Sequence, residues 1–173
     1  MTDPRPLPGE PLALDLLNTQ YTGDDGPRDL LATPRGARAW ARAAGVPCDD
    51  PALAPLRTAR DAIRAVVEGG GSPGPLNAVL AHGRLVERLG PRGPEHVVEI
   101  DDPAWQAAWL AARNLLELLR DRPDRIRPCA GHGCVLYFYD TSRSGRRQWC
   151  SMAGCGNRAK AQRHYARTRT ARP

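Results

Sequence analysis

The sequence is poor in lysine, in aromatic residues and in long apolar runs. Lys160 is the only lysine among 25 basic residues, and aromatic residues make up 5% of the chain. The apolar run LALDLL is far too short to cross a membrane, and the start MTDPRPLPGE lacks the apolar core of a secretory signal. The sequence therefore predicts a soluble, cytoplasmic protein with no membrane partner.

Acidic residues are almost absent from the last part of the chain. Residues 1–124 carry 14 Arg and 18 Asp or Glu, a formal charge of −4. Residues 125–173 carry 10 Arg, Lys160 and the single acid Asp140, a formal charge of +10. We therefore predict two domains, residues 1–124 and 125–173. A compact segment with the second charge attracts polyanions, and nucleic acid is the usual one.

Residues 1–124 show the pattern of a mostly helical domain. Thr33, Asp50 and Asp102 each precede a proline, which predicts three capped helix starts. Apolar periodicity then predicts helices over residues 33–45, 50–68, 72–83 and 103–119, with a β-hairpin over residues 84–100. The last helix is the most apolar, and its candidate core residues are Trp105, Trp109, Ala112, Leu115, Leu116 and Leu119. The apolar face of this helix is explained either by packing in the core or by an interface in a homodimer.

Four of the five cysteines lie in the C-terminal part. They form two Cys-x4-Cys pairs separated by 15 residues: Cys129 with Cys134 and Cys150 with Cys155. Four thiolates in two short-spaced pairs suit a tetrahedral structural zinc ion. A reducing compartment disfavours the alternative of two disulfides. An iron–sulfur cluster, or His132 as a competing ligand, are further alternatives, and Cys48 is predicted to be a small, partly buried residue.

The residues around the cysteines predict a hairpin followed by a helix. Val135–Tyr139 is β-branched and aromatic, and Gln148-Trp149 is the predicted return strand. Phe138 and Trp149 are predicted to form the core of this small module. The fold class is therefore α+β: a mostly helical N-terminal domain with a short β-hairpin, then a small treble-clef-like zinc finger whose last ligand begins the C-terminal helix.

Basic residues recur at helical spacing after Cys155. Lys160, Arg163, His164 and Arg167 share one helix face. The predicted nucleic-acid contacts are Arg143, Arg146 and Arg147 in the turn, Asn157 and Arg158 at the helix start, and Lys160, Arg163, His164, Arg167 and Arg169 along the helix. Duplex DNA is the predicted partner; RNA or the ribosome, or a protein partner, are alternatives. A solvated helix exterior is the other interpretation of the basic face, and Asn157 also fits a cap or a hydrogen bond within the zinc loop.

Two polar residues interrupt the apolar run LALDLL and its continuation. Asp15 and Asn18 fall on one helix face, and buried polar groups need partners. They either cap a neighbouring helix or bind the domain junction, or they line a pocket for a small-molecule effector. The chain shows no nucleophile–base cluster, and a four-thiolate site leaves no open metal position for an activated water. We therefore expect no enzymatic activity.

The chain also resembles a known family. Cys155-Gly156-Asn157-Arg158 spells the signature of the CGNR zinc finger, and the neighbouring residues that fit it are Phe138, Asp140, Ser142, Arg147, Trp149–Met152 and Lys160. The N-terminal part resembles the ABATE domain through LALDLLNT at Leu12–Thr19, through Asp29-Leu30-Leu31 and through Trp40. This resemblance implies a stress-linked transcription regulator in which the finger binds DNA.

Overall fold

The computed structural model describes residues 5–48 and 50–162. Within these residues the longer helices are α1 (Leu12–Leu17), α2 (Pro34–Ala43), α3 (Leu53–Val67), α4 (Gly74–Leu80) and α5 (Gln106–Asp121). The strands are β1 (Gln20–Gly23), β2 (Gly26–Asp29), β3 (Gly83–Gly90), β4 (Gly93–Ile100), β5 (Ile126–Pro128) and β6 (Tyr137–Tyr139). They pair as three antiparallel two-stranded sheets, β1–β2, β3–β4 and β5–β6. The predicted α+β class is confirmed.

The helix starts follow the predicted caps in two cases of three. The Thr33 side chain accepts a hydrogen bond from the Gly36 N–H at the start of α2 (3.1 Å). Asp102 caps the short 3₁₀ turn that leads into α5. The predicted cap at Asp50 is wrong, because Ala52 precedes α3 in an extended conformation and no side chain caps it. Asp50 instead forms an exposed ion pair with Arg38 (2.9 Å).

The main core forms where α5 packs against α1, α3 and α4. Small residues on α5 let the helices approach closely, since Ala108, Ala111 and Ala112 are fully buried beside Leu115. Three of the predicted core residues are buried: Trp109, Ala112 and Leu115. The other three are partly buried and pack against the edge of the core: Trp105, Leu116 and Leu119. Core packing therefore accounts for the apolar face of α5, and a homodimer through that face is not needed to explain it.

The predicted hairpin over residues 84–100 is present as β3 and β4. Its strands are eight residues each and join through Gly90 and Gly93. Gly83 brings the base of the hairpin against α5, because a Cβ there would lie 2.8 Å from the Trp109 ring and 2.5 Å from the Ile100 side chain.

The C-terminal part has a small core of its own. Its buried members are Cys129, Leu136, Phe138, Cys150 and Cys155, and Trp149 packs against them. The predicted core roles of Phe138 and Trp149 are therefore confirmed. Leu7 and Tyr21, from the N-terminal part, also pack on this cluster.

The finger contains a hairpin, but its strands are not the predicted pair. β6 pairs with β5, which precedes the first cysteine pair. The predicted return residue Gln148 is not in a strand, and its carbonyl accepts a hydrogen bond from the Ala130 N–H (2.8 Å). The reason lies in Asp140, whose carboxylate accepts from the N–H groups of Ser142 and Arg147 (2.9 Å each). These bonds fold residues 140–147 into a loop that leaves the ladder.

None of the helices within the described residues has the length and apolarity that a bilayer crossing needs.

Candidate metal centre

The four clustered cysteines converge on one point. Cys129 follows β5, and Cys134 lies beyond a tight turn. Cys150 precedes, and Cys155 lies within, a π-helical turn over Met152–Gly156. Their four Sγ atoms all lie within 4.8 Å of one another, and three of the four residues are buried.

This spacing fits a tetrahedral zinc ion. Zn–S bonds are about 2.3 Å long, so two sulfurs of a ZnS4 tetrahedron lie roughly 3.8 Å apart. The Sγ–Sγ distance is 3.9 Å between Cys134 and Cys150 and 3.6 Å between Cys150 and Cys155. The residues present therefore fit the metal, and the predicted structural zinc site is confirmed. Ion binding supplies folding free energy to a module whose apolar core is small.

Hydrogen-bond donors surround the sulfurs. The backbone N–H groups of Gly131 and Cys150 point to Cys129 Sγ, at 3.4 Å and 3.2 Å. The Arg158 guanidinium donates to Cys155 Sγ (3.1 Å), and this bond raises the pKa of Arg158. Donors of this kind stabilise the thiolate form that a metal requires.

The thiols hold their protons unequally. The hydrogen bond between Cys134 and Cys150 lowers the pKa of Cys134 to about 5. The same bond raises the pKa of Cys150, and burial raises the pKa of Cys129. Zinc binding therefore has to displace protons from the buried sulfurs.

Gly131 makes room for the fourth sulfur. A Cβ at this position would lie 2.8 Å from Cys155 Sγ and 3.4 Å from Cys129 Sγ. Any larger residue would push Cys155 out of the group. The sequence shows only a glycine in a turn, so this steric role could be seen only in the folded chain.

His132 is exposed in the same turn and does not belong to the four-cysteine group. This agrees with its interpretation as a solvent-facing turn residue. Cys48 is half-buried and packs against the main core, as predicted.

Ser151 orients the turn that delivers Cys155, and the sequence analysis missed it. Its backbone is extended, and its Oγ accepts from the Gly154 N–H (3.2 Å). A serine three residues before the N–H that it accepts from is an available cap signal. Asn157 has helical backbone angles, and its amide donates to the Ala153 carbonyl (3.4 Å). Of the roles weighed for Asn157, the hydrogen bond within the zinc loop is the one observed.

Two family models match the chain. The CGNR zinc finger model matches residues 125–168. The ABATE model, described as "Putative stress-induced transcription regulator", matches residues 10–122. The chain belongs to the ABATE family. The resemblance drawn from the sequence is thereby confirmed in both parts and in their order. No curated protein matches the chain.

Arg147 of the CGNR finger makes structural contacts within the finger, and its role in nucleic-acid binding stays a prediction. Its guanidinium lies 4.2 Å from the centre of the Phe138 ring. It donates to the backbone carbonyls of Trp149 (3.0 Å) and Cys150 (2.5 Å) and lies 3.6 Å from the Glu10 carboxylate. The side chain is half-buried, and these contacts engage its Nε, Nη1 and Nη2 atoms.

The other residues of the CGNR finger that were predicted to contact nucleic acid lie partly within and partly outside the described residues. The side chains of Arg143, Arg146 and Lys160 are exposed and make no hydrogen bond or ion pair with the described residues. Arg158 is exposed, and one of its guanidinium nitrogens donates a hydrogen bond to Cys155 Sγ. The predicted basic face falls largely beyond residue 162, since Arg163, His164, Arg167 and Arg169 lie outside the described residues.

Asp15 lies at the centre of the ABATE region, not in a ligand pocket. It is 1% exposed and accepts from Arg5 Nη1 (2.6 Å), Trp40 Nε1 (2.9 Å) and the Gly9 N–H (2.9 Å). Its carboxylate thus ties three separate segments together. The pocket interpretation of Asp15 is wrong, because no polar atom of the side chain is left for a ligand.

Asn18 lies at the junction of the ABATE region with the CGNR finger, as the first interpretation predicted. It is fully buried, its Nδ2 donates to the Tyr137 carbonyl and its Oδ1 accepts from the Tyr137 N–H, both at 2.9 Å. The pocket interpretation of Asn18 is wrong for the same reason as that of Asp15.

Glu10 is a second junction residue, which the sequence analysis missed. Its carboxylate accepts from the Tyr139 N–H (2.8 Å) and faces Arg147 (3.6 Å). Burial raises the pKa of Glu10, although the bond from Tyr139 and the charge of Arg147 oppose the rise. A lone acid in the sequence PGEP gave no signal of this role, since both partners lie more than 100 residues away.

Proposed function

We propose that this chain is a cytoplasmic transcription regulator that binds duplex DNA through its CGNR finger. The family description and the zinc finger support a regulatory role. In this proposal Cys129, Cys134, Cys150 and Cys155 hold a structural zinc ion, and the ABATE region is the scaffold that carries the finger. The ion fixes where the final helix starts. Fractionation of cells that express the tagged chain tests the compartment.

The charge of the finger surface is the observation that carries this proposal. Asp140 is the only acid after residue 124, and it is 1% exposed. Hydrogen bonds from Ser142 and Arg147 hold its pKa below the usual range. The exposed ionic groups of the described finger are therefore all cationic, so a polyanion meets no opposing charge there.

Inward-facing arginines build the loop that presents two outward ones. Arg125 donates to two carbonyls of the loop over residues 140–147, at 3.0 Å and 2.7 Å, and Arg127 to a third at 3.5 Å. Arg143 and Arg146 lie within this loop and point no donor at another described residue. A loop fixed in this way loses little conformational entropy when it meets a phosphate backbone.

Anisotropy titration with a short duplex at several salt concentrations tests the proposal. Each phosphate contact contributes about 0.9 to the slope of log K against log salt. Replacing Arg143 and Arg146 together with Ala should therefore weaken binding and lower that slope by up to about 1.8. The matched control replaces Arg84 and Arg88, which are exposed on β3 and ion-paired with Glu99.

A wild-type affinity that does not change with salt would contradict the proposal. An equal loss of affinity in the Arg84/Arg88 control would contradict the assignment of the finger as the contact surface. Competition between duplex DNA and structured RNA of equal length tests which polymer the finger prefers. If RNA competes more strongly than DNA, RNA is the partner and the DNA proposal is contradicted. Pull-down from nuclease-treated lysate exposes a protein partner, and sedimentation equilibrium tests a homodimer, which stays a prediction.

We propose binding and not catalysis for the metal centre. Four thiolates fill the four positions of a tetrahedral zinc ion, so no position is left at which a water is activated. Plasmid nicking by the zinc-loaded chain with added Mg²⁺ would contradict this.

A small-molecule effector is the second partner that we propose, at a different place from the predicted one. A cavity of ≈ 470 Å³ lies between the β1–β2 hairpin and the finger, within the usual size range of ligand sites. Tyr21 and Asp24 line it from the hairpin, and His132 and Arg158 line it from the finger. They lie beside the zinc ligands Cys134, Cys150 and Cys155, which also line the cavity, so an effector bound there would lie against the metal centre. A compound that raises the melting temperature of the wild type but not of Tyr21→Ala would support this site; equal stabilisation of both would contradict it.

A further inference from the structure

The outer edge of β6 is closed by side chains and not by a third strand. β5 covers one edge, where Phe138 stands opposite Arg127. On the other edge, Asn18 Oδ1 accepts from the Tyr137 N–H and Asn18 Nδ2 donates to the Tyr137 carbonyl. Glu10 Oε2 accepts from the Tyr139 N–H (2.8 Å). Two side chains of the N-terminal part thus satisfy three backbone groups of the finger.

These bonds replace those that a neighbouring strand would make. A buried backbone group without a partner costs as much as a lost hydrogen bond. Tyr137 is 8% exposed, so water reaches this edge poorly. The finger's two-stranded sheet has only three residues a strand, which is below the size of a sheet that is stable alone. The sheet that carries the first cysteine pair therefore depends on its neighbour.

A second path leads from Glu10 to a metal ligand. The Glu10 carboxylate faces Arg147, whose guanidinium donates to the carbonyl of Cys150. The same guanidinium stacks on Phe138, the fully buried centre of the finger core. Glu10 thus helps to hold the arginine that fixes the chain entering the second cysteine pair.

We propose that Asn18 and Glu10 are positioning residues of the zinc centre, and that the ABATE region is the missing sheet neighbour of the finger. Zinc retention then depends on residues more than 100 positions away from the ligands. The finger is accordingly not an autonomous zinc module. This inference concerns the metal and the junction, and it does not depend on the proposed binding of nucleic acid.

The rate at which the full-length, zinc-loaded chain transfers its metal to excess chromogenic chelator tests the proposal. Asn18→Leu keeps the side-chain size but removes both the donor and the acceptor. We expect zinc transfer to become about tenfold faster or more, because two buried backbone groups, the N–H and the carbonyl of Tyr137, lose their partner. The expected loss of hydrogen-exchange protection at the Tyr137 amide is a second readout of the same opening.

Asn114→Leu is the matched control. Asn114 Oδ1 accepts from the Ala13 N–H (3.1 Å), so the variant makes the same substitution and removes a part-buried side-chain-to-backbone bond inside the ABATE region without touching β6. Its zinc-transfer rate should stay within about twofold of the wild type, since the two sites share no partner. An equal acceleration in both variants would show a general loss of stability and would overturn the positioning role.

Glu10→Gln keeps the test decisive if Asn18→Leu does not fold. The amide still accepts from the Tyr139 N–H, but the charge opposite Arg147 is gone. We expect zinc transfer to be about two- to fivefold faster, since a hydrogen bond to a charged group is stronger than a neutral one. A folded Asn18→Leu chain with the wild-type transfer rate would overturn the proposal, and so would an unchanged rate in Glu10→Gln.

Discussion

Asp15 shows how a single charged residue can organise an apolar core. Its carboxylate lies among fully buried leucines of α1, and it takes hydrogen bonds from Arg5, Trp40 and Gly9. A buried ion pair adds little net stability, but removing one partner leaves the other charge uncompensated. The arrangement therefore serves to fix the chain before α1 against α2.

Asp15→Ala should lower the free energy of unfolding by about 3–5 kcal/mol, because Arg5 would stay buried without its counter-ion. The control is Asp25→Ala, which breaks an ion pair whose side chains are 52% and 83% exposed. That change should cost less than about 1 kcal/mol. Urea unfolding followed by circular dichroism measures both, and equal midpoints would contradict the assigned role of Asp15.

Gly131 gives the second prediction at the residue scale. Gly131→Ala places a methyl group against Cys155 Sγ, so the chain should purify with clearly less zinc than the wild type. Gly154→Ala is the control, in the turn of the second cysteine pair, since a Cβ there meets only Ser151, at 3.8 Å or more. Metal analysis of both purified variants measures their zinc content. Full zinc occupancy in Gly131→Ala would contradict the close approach of residue 131 to Cys155 Sγ.

The roles of some single residues could be predicted from the sequence, whereas the roles of others could not. The four ligands were predictable because cysteine is a common zinc ligand and two short-spaced pairs are a pattern that the sequence itself displays. The partners of Asp15 were not, because they lie 10 and 25 residues away and meet it only after the helices pack. The structural contacts of Arg147 were hidden for the same reason, since the sequence shows its charge but not that its guanidinium contacts Phe138 and two backbone carbonyls.

At the scale of elements, caps and breakers placed most of the helices. Thr33 ends up as a true cap, whereas Asp50 does not, although each precedes a proline. The difference is two residues of extended chain, Pro51 and Ala52, which carry Asp50 away from the first turn of α3. Local sequence could not reveal this, because both arrangements are sterically allowed.

Thr33→Ala should therefore destabilise the protein by about 1 kcal/mol through loss of the α2 cap. Asp50→Ala removes only an exposed ion pair and should change stability by less than about 0.5 kcal/mol. Denaturant unfolding of the two variants under one set of conditions compares them. The reverse order of destabilisation would contradict the observed helix starts.

The contact between β2 and α3 predicts a response to acid. Burial raises the pKa of Asp29, but the hydrogen bond and charge of Arg60 outweigh it, so the net pKa is lowered. A lowered pKa contributes stability above the unfolded value of about 3.9 and loses it as the pH falls through the folded value. The difference in unfolding free energy between wild type and Asp29→Asn should thus be constant near neutrality and shrink in acid. A difference that grows as the pH falls would contradict this.

The hairpin of the finger marks the limit of element prediction. The β-branched and aromatic run Val135–Tyr139 correctly indicated β6, but nothing local indicated its partner. The pairing with β5 follows from the loop that Asp140 closes and from the backbone bond of Cys129 to Leu136 (2.9 Å). Strand partners are set by such tertiary contacts, which sequence pattern does not contain.

At the scale of the whole molecule, the division of charge and the division into families coincide. The ABATE match, residues 10–122, falls within the acidic part, and the CGNR match, residues 125–168, falls within the basic part. What the sequence could not show is that Asn18 and Glu10 bind the two parts together. The account therefore has one centre on which the rest depends: the metal that holds the four cysteines.

X-ray absorption at the zinc edge of the full-length chain, purified under reducing conditions, tests that centre most directly. The account predicts one zinc ion per chain with four sulfur neighbours at about 2.3 Å. A folded chain without zinc, or a first shell in which nitrogen or oxygen takes the place of a sulfur, would contradict it.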